Sequence, residues 1–249
     1  MPATLLESAA EVLVATGHDP FARGSLRRPL VRGWVGDGAT AWMGTDSGDG
    51  TRYLSALGEP PAVAALLTEL LPEVPARQRV TLPRGTPALL PAWVGLGRGA
   101  TDWDFRWRTE PPAEQPGEQR VVGDVDAGAV QRLIDDASPH TTARPGDAAV
   151  RRWWGVPDDE GSLLACAADA SAATGVGHLA SIAVHPQARR QGLGRAVTAA
   201  ATRALLDEGC DVVTLGMYAD NGPGRALYDV LGFRTRRFTS GPLVQRGRW

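Results

Sequence analysis

The sequence contains no lysine; all of its basic residues are arginine. That absence removes a phosphate-loop lysine, a Schiff-base lysine and a lysine general base from the available chemistry. Cysteine is scarce. Cys166 lies in an apolar run, SLLACAA, and Cys210 ends a helical stretch. No CxxC pair or nearby histidine pair accompanies them, so both read as buried or half-buried thiols and no metal site is expected. No apolar run reaches the roughly 18 residues of a membrane span. The first residues show no basic segment followed by an apolar core, so no signal peptide is expected and the expected location is the cytoplasm. A large excess of charge is also missing: a net charge of −2 argues against a general nucleic-acid binder.

What is present is an ordinary globular composition, 43% hydrophobic and 22% charged, over 249 residues. That length suits one large domain or two small ones. Thr4-Leu-Leu-Glu7 fits a capping box opening a helix that Gly17 ends. LVRGWV, TAWMG and TRYLSAL read as short strands, with DSGDG (Asp46–Gly50) as a hairpin turn. Pro61 opens a helix, AVAALLTELL, and RVTL is a further strand. TDWDFRWR alternates strictly, with Trp103, Phe105 and Trp107 opposite Asp102, Asp104, Arg106 and Arg108, which predicts a half-buried strand. Thr109–Gln119 is rich in proline and glutamate and reads as a linker between residues 1–108 and 120–249.

Beyond the linker, a short strand at Arg120–Val122 precedes a helix capped by Asp126. Asp147 is expected to cap a second helix, AAVRRWW. SLLACAAD and HLASIAV are strands, residues 194–208 a helix, VVTLGMY a strand and Gly224–Leu231 a short helix, with a last strand from Phe233. Strand, helix, strand in succession implies a parallel crossover. The expected class is therefore α/β or α+β, with a mixed sheet flanked by helices and preceded by a smaller α+β domain.

One loop carries chemistry. HPQARRQGLGR (His185–Arg195) has Arg189, Arg190 and Arg195, no acidic residue, an apolar strand before it and an alanine-rich helix after it. Backbone N–H groups at a helix start, the helix dipole and arginine side chains together make an anion site, most naturally for a pyrophosphate. Gly192 and Gly194 let a ligand approach the backbone. A dinucleotide GxGxxG loop fails at Val197. The competing reading on these features alone is a solvated arginine turn.

Arg189-Arg190-Gln191-Gly192-Leu193-Gly194 resembles the R/Q-x-x-G-x-G/A motif of the GNAT superfamily of acyl-CoA-dependent N-acyltransferases. Leu215–Phe233 is similar to that family's N-x-x-A-x-x-x-Y-x-x-x-G-F segment, through Asn221, Tyr228, Gly232 and Phe233, and departs from its small-residue spacing at Arg225-Ala226-Leu227. The resemblance spans about Arg120 to Leu243. Residues 1–108 carry no such motif and read either as a degenerate GNAT-like domain, the favoured reading, or as an unrelated α+β domain.

The resemblance implies transfer of an acetyl group from acetyl-CoA to a primary amine, by direct attack in a ternary complex and without a metal. The acceptor would be a small-molecule or peptide amine, and the protein a monomer or homodimer. It implies that the cofactor-binding residues are Ala183, Val184, Arg189, Arg190, Gln191, Gly192, Leu193, Gly194, Arg195, Asn221 and Arg225. The backbone of Ala183 and Val184 would pair with the pantetheine arm where two strands splay apart. Tyr228 is the candidate acid for the leaving thiolate, and His178, 11 residues before Arg189, the candidate base, with a water chain as the alternative. A backbone N–H near Ile182 or Ala183 is the candidate oxyanion donor if the strand bulges. His185 reads as structural and His140 as a weaker base candidate. Asp135, Asp136 and Asp158-Asp159-Glu160 are candidate attractors of a cationic amine but fit solvated loops better. RTRRF and QRGRW read as a charged sheet edge. The alternative function is an acyl-CoA-binding module without turnover.

Overall fold

The computed structural model describes residues 2–46, 50–72, 74, 78–141 and 143–245. Two compact units emerge, one of residues 1–105, 218–220 and 236–249, the other of residues 106–217 and 221–235. The expected α/β class with mixed sheets and flanking helices is what the chain forms.

The first unit begins with β1 (Thr4–Leu6), α1 (Ala9–Ala15), α2 (Pro20–Ser25), β2 (Leu30–Gly36), β3 (Ala39–Thr45) and β4 (Arg52–Gly58). It continues with α3 (Pro60–Leu70), β5 (Arg79–Pro83), β6 (Val94–Leu96) and β7 (Thr101–Arg108), of which the last three residues fall in the second unit. β1 to β4 pair antiparallel in order, and β5 joins β4 in parallel across α3. Alternation along β3 divides the two faces. Ala39, Ala41 and Met43 pack with Leu66, Leu67 and Leu70 of α3, while Trp42 turns to Phe21 of α2.

The capping box foreseen at Thr4 does not form. Thr4–Leu6 pairs with Gly33–Val35 as a strand, and Ser8 caps α1 by accepting from Glu11 N–H. A second S-x-x-E pattern four residues on outcompetes the first because β1 needs its backbone groups for the ladder. The alternation of β7 is real, but the middle of its polar side is not solvated, although Asp102 at its start is exposed. Asp104 is fully buried against Arg84 Nη2 at 2.9 Å, and Arg106 is 1% exposed. Paired charges permit burial on both faces where an unpaired one would not. The turn expected at DSGDG lies largely outside the described residues, and so does QRGRW beyond Gln245.

The second unit holds β8 (Val122–Gly123), α4 (Ala127–Ala137), β9 (Arg152–Pro157), β10 (Leu163–Asp169), β11 (Val176–Val184), α5 (Leu193–Asp207), β12 (Val212–Tyr218, all but its last residue) and α6 (Gly222–Val230). β13 (Arg234–Gln245) starts here and runs in the first unit from Arg236, where it pairs with β5 and β6. The strand order is β12-β11-β10-β9-β8, antiparallel except for the parallel β11–β12 pair joined through α5. Helices cover both faces. Ala165 and Ala167 of β10 pack towards Val197, Ala201 and Leu205 of α5, while Cys166 and Ala168 pack towards Val130, Leu133 and Ile134 of α4.

Asp126 caps α4 as expected, accepting from Ala129 N–H at 2.8 Å. The helix expected after Asp147 is replaced by a turn, in which Asp147 accepts from Ala149 N–H, and then by β9. Trp153 and Trp154 pack into the cores on opposite faces of the sheet, a period-two arrangement that outweighs the helical propensity of AAVRR.

Candidate active site

The arginine loop is built by local backbone chemistry. After β11, His185 Nδ1 accepts from Gln187 N–H and starts a 3-10 turn, Pro186–Ala188, whose Ala188 is buried. Arg190 and Gly192 then take positive φ values of 65° and 82°. Gly192 is the N-cap of α5 and supplies no side-chain cap, so the N–H groups of the first turn point out of the helix end without a side chain to accept from them. Arg189, Arg190 and Arg195 stand exposed around that end. Gly194 has a different reason for being glycine: a Cβ there would meet Leu227 Cδ1 at 3.0 Å and Val184 Cγ2 at 3.2 Å. It lets α5 pack closely on α6 and β11.

Two breaks in sheet regularity open a cavity beside this loop. The β11–β12 ladder runs from Val176/Val212 to Leu179/Leu215 and stops, although both strands continue. In the β10–β11 pair the register changes between Cys166↔Ala183 and Ala168↔Ala180, which places one extra residue in β11. Ser181 sits at that bulge with φ +47°. The extra residue inverts the facing of the strand: Leu179 faces the α5 core before it, Ile182 and Val184 after it. The resulting cavity, about 960 Å³, is lined by Ile182, Ala183 and Val184 from β11, by the loop and the first turn of α5, by Ala137 and Ser138 at the end of α4, and by α6.

α6 brings Tyr228 to the cavity wall. Asn221, which also lines the cavity, caps this helix by accepting from Gly224 N–H at 2.9 Å. Two arginines of β7 hold its far end: Arg106 Nη1 lies 2.5 Å from Asp229 Oδ1, and Arg108 Nη1 donates to the Leu231 carbonyl at 2.6 Å. Tyr228 is 6% exposed, and burial pushes its phenol up to about 12, against the opposing pull of Arg106. Burial likewise pushes the Cys166 thiol up to about 12, opposed by the Ala183 backbone N–H.

A family model described as the acetyltransferase (GNAT) family matches residues 104–233, just over half of the chain. The chain belongs to the GNAT family. It is 43% identical over 58 residues to a mycothiol acetyltransferase of Kocuria rhizophila, a match covering 23% of this chain and 19% of that relative. The aligned stretch thus spans about a fifth of the curated relatives' length. Among solved structures, a GCN5-related N-acetyltransferase from Kribbella flavida superposes with a TM-score of 0.55 at 21% identity, over 95% of this chain and 96% of that one. A tandem GNAT protein from the clavulanic acid biosynthesis pathway superposes with a TM-score of 0.51 at 16% identity, over 99% of each chain. At these identities the likeness is one of fold.

Of the residues singled out from the GNAT motifs, the structure gathers Ala183, Val184, Arg189, Arg190, Gly192, Leu193, Gly194, Arg195, Asn221 and Tyr228 around one cavity. Gln191, exposed, and Arg225 are not among its lining residues. His178 is not brought there either. It lies near the start of β11, about 13 Å from Ile182 at strand spacing, with Nδ1 2.9 Å from Thr214 Oγ1. The Thr214 hydroxyl donates to the Gly177 carbonyl, so the His178 Nδ1 carries the proton in this pair. His140 is exposed and does not line the cavity. Asp158 closes the β9–β10 turn by accepting from Glu160 and Ser162 N–H, and Asp135 accepts from Gln131 and Arg144, which hold its carboxyl below the usual range. Ser181, Thr141 and Arg106 escaped the sequence reading. The faint signal for Arg106 was a charged residue in the middle of an aromatic strand.

Among the described residues no group of three or more His, Cys, Asp or Glu side chains is placed to hold a metal, and no helix is long and apolar enough to cross a membrane.

Proposed function

We propose that the second unit is an acetyl-CoA-dependent N-acetyltransferase acting in the cytoplasm on a small-molecule or peptide amine. The observation that carries this reading is the meeting, in one cavity, of an arginine-flanked helix N-terminus with the end of β11 beyond its last pair with β12. The first suits a pyrophosphate. The second leaves strand-edge backbone at Ile182–Val184 along a narrow groove, which suits an extended amide-bearing arm.

In this proposal acetyl-CoA, as co-substrate, supplies the thioester. The loop from Arg189 to Arg195 holds its phosphates, and the backbone of Ala183 and Val184 lines its arm. An N–H of the bulge at Ile182 faces the carbonyl oxygen as charge develops there. Tyr228 gives its phenolic proton to the departing sulfur. A phenol near 12 is a weak donor to a solvated thiolate of pKa about 8.5. Burial raises thiols too, as Cys166 shows, so a sulfur leaving inside the cavity is raised towards the phenol and the proton transfer becomes closer to balanced. His178, committed to Thr214 and outside the cavity, is not assigned the base; water carries the amine proton away.

We infer further that residues 1–108 are a degenerate copy of the same domain. Both halves run strand, helix or helix pair, three antiparallel strands, helix, parallel strand. The β3–β4 register is unbroken from Ala39↔Gly58 to Thr45↔Arg52, so the pair that corresponds to β10–β11 carries no bulge. Gly58 is followed directly by Glu59 as the N-cap of α3, so it has no arginine loop and carries an acidic residue where an anion would sit.

Calorimetric titration of acetyl-CoA into the protein tests the reading. Micromolar binding at one site per chain is the expected result. A folded protein that takes up no acetyl-CoA overturns the assignment, and two sites per chain overturn the degeneracy of the first half.

A further inference from the structure

We propose that Ser181 is a positioning residue that fastens the loop between α4 and β9 to the β11 bulge, so that the cavity wall at the end of α4 and the acyl-facing backbone of the cavity are held as one piece. The inference rests on the acetyl-CoA reading above and adds a residue outside the recognised motifs.

The hydrogen-bond directions follow from the atoms. Ser181 Oγ lies 2.8 Å from the Ala143 carbonyl oxygen and 2.5 Å from Thr141 Oγ1. A carbonyl only accepts, so the single Ser181 hydroxyl hydrogen goes to Ala143, and Thr141 must donate to Ser181. The chain Thr141 to Ser181 to Ala143 therefore has one direction and leaves no hydroxyl hydrogen of either side chain spare. The Ser181 carbonyl is engaged as well, accepting from Cys166 Sγ at 3.6 Å. That thiol stays a donor because burial keeps it protonated.

Ser181 is thus gripped on both sides of the sheet strand. The hydroxyl binds the loop and the carbonyl binds β10, while the backbone is held at φ +47°, a conformation a serine in a strand does not take by preference. Holding that conformation aims the following peptide, whose Ile182 lines the cavity. The loop gripped by Ser181 begins at Ser138, on the cavity wall next to Ala137, and a second tie fixes it, from Arg144 to Asp135 at 2.8 Å and to the Pro139 carbonyl at 2.7 Å. The wall and the bulge share one hydroxyl. Loosening the loop therefore loosens the aim of the bulge N–H, without touching the arginine loop that holds the phosphates.

The test is isotope-edited infrared spectroscopy of acetyl-CoA labelled with 13C at the thioester carbonyl, bound to the intact protein, with affinity measured in parallel. In the wild type the carbonyl stretch falls relative to free acetyl-CoA, because an aimed N–H polarises it. Ser181→Ala and Thr141→Val lose at least half of that shift, with dissociation constants within about twofold of wild type. Thr141→Ser, which keeps the hydroxyl, restores it. Ser181→Gly tolerates the positive φ but lacks the hydroxyl, and it loses the shift too; retention there means the backbone alone aims the peptide and overturns the proposal. Ser181→Cys, which replaces the hydroxyl by a weaker donor with little change in size, keeps the test open if the other strand variants fail to fold, and a wild-type shift there overturns the proposal. Binding with an unshifted carbonyl in the wild type, or a wild-type shift in Ser181→Ala, overturns the role of Ser181 and leaves the cofactor reading standing. No binding of acetyl-CoA to folded wild type overturns both.

Discussion

Tyr228 and Gly192 carry the sharpest expectations at the scale of single residues. Tyr228→Phe removes the proton donor but keeps the ring that packs against Phe233 at 5.9 Å. Turnover is expected to fall by about 10²-fold or more, the size of a positioned acid's contribution, while the dissociation constant for acetyl-CoA stays near wild type. Steady-state kinetics beside calorimetry reads both, and unchanged turnover removes Tyr228 as the acid. Gly192→Asp places a carboxylate and a Cβ at φ +82°, at the helix end expected to hold phosphates. Acetyl-CoA binding is expected to be lost, with far-ultraviolet circular dichroism unchanged. Gly194 was legible as a motif glycine but not in its role: its lack of a side chain admits Leu227 and Val184, a contact between elements distant in sequence.

Among elements, α4 and α5 owe their start and their burial to separate causes. Asp126 caps α4, and Asp126→Ala is expected to cost about 1 kcal/mol, seen as a lower urea midpoint at constant slope. Leu205 of α5 is completely buried against the sheet. Leu205→Ala is expected to cost about 2–5 kcal/mol, and acetyl-CoA binding should survive wherever the variant remains folded. Caps and apolar stripes are local, and most helices were readable for that reason. The segment after Asp147 was misread because it has a cap, helix formers and two tryptophans, and only the two cores on either side of the sheet make a strand the better home for Trp153 and Trp154. The β11 bulge has no sequence signature, since LASIAV reads the same with or without an extra residue.

For the molecule as a whole, pH dependence follows from the buried acids. Cys166 and Tyr228 both have folded values raised to about 12, from 9.0 and 10.0. A raised value means the unfolded chain loses its proton first. Their contribution is complete below about pH 9 and declines as pH rises towards 12, with Cys166 acting first. Urea denaturation at a series of alkaline pH values should show stability falling from about pH 9, and Cys166→Ala should make the fall shallower, with Cys210, whose thiol burial also raises, leaving a smaller remainder. At the acid end the sign is opposite. Arg152 holds the Glu208 carboxyl below its ordinary value, so that contribution is present at neutral pH and fades as pH drops through the lowered folded value. Glu208 is substantially exposed, so its share is small.

The sequence by itself determined the order of most elements and the family, because both rest on short-range chemistry: caps, alternation, glycine and arginine at a helix start. It also determined what the protein does not use, through the missing lysine. Only the tertiary structure decided which candidates share a cavity. Strand register is a property of two chain segments together, and so the bulge, the divergence of β11 from β12, the exclusion of His178 and the tie from Ser181 to Thr141 were settled by pairing and packing between residues up to 40 positions apart.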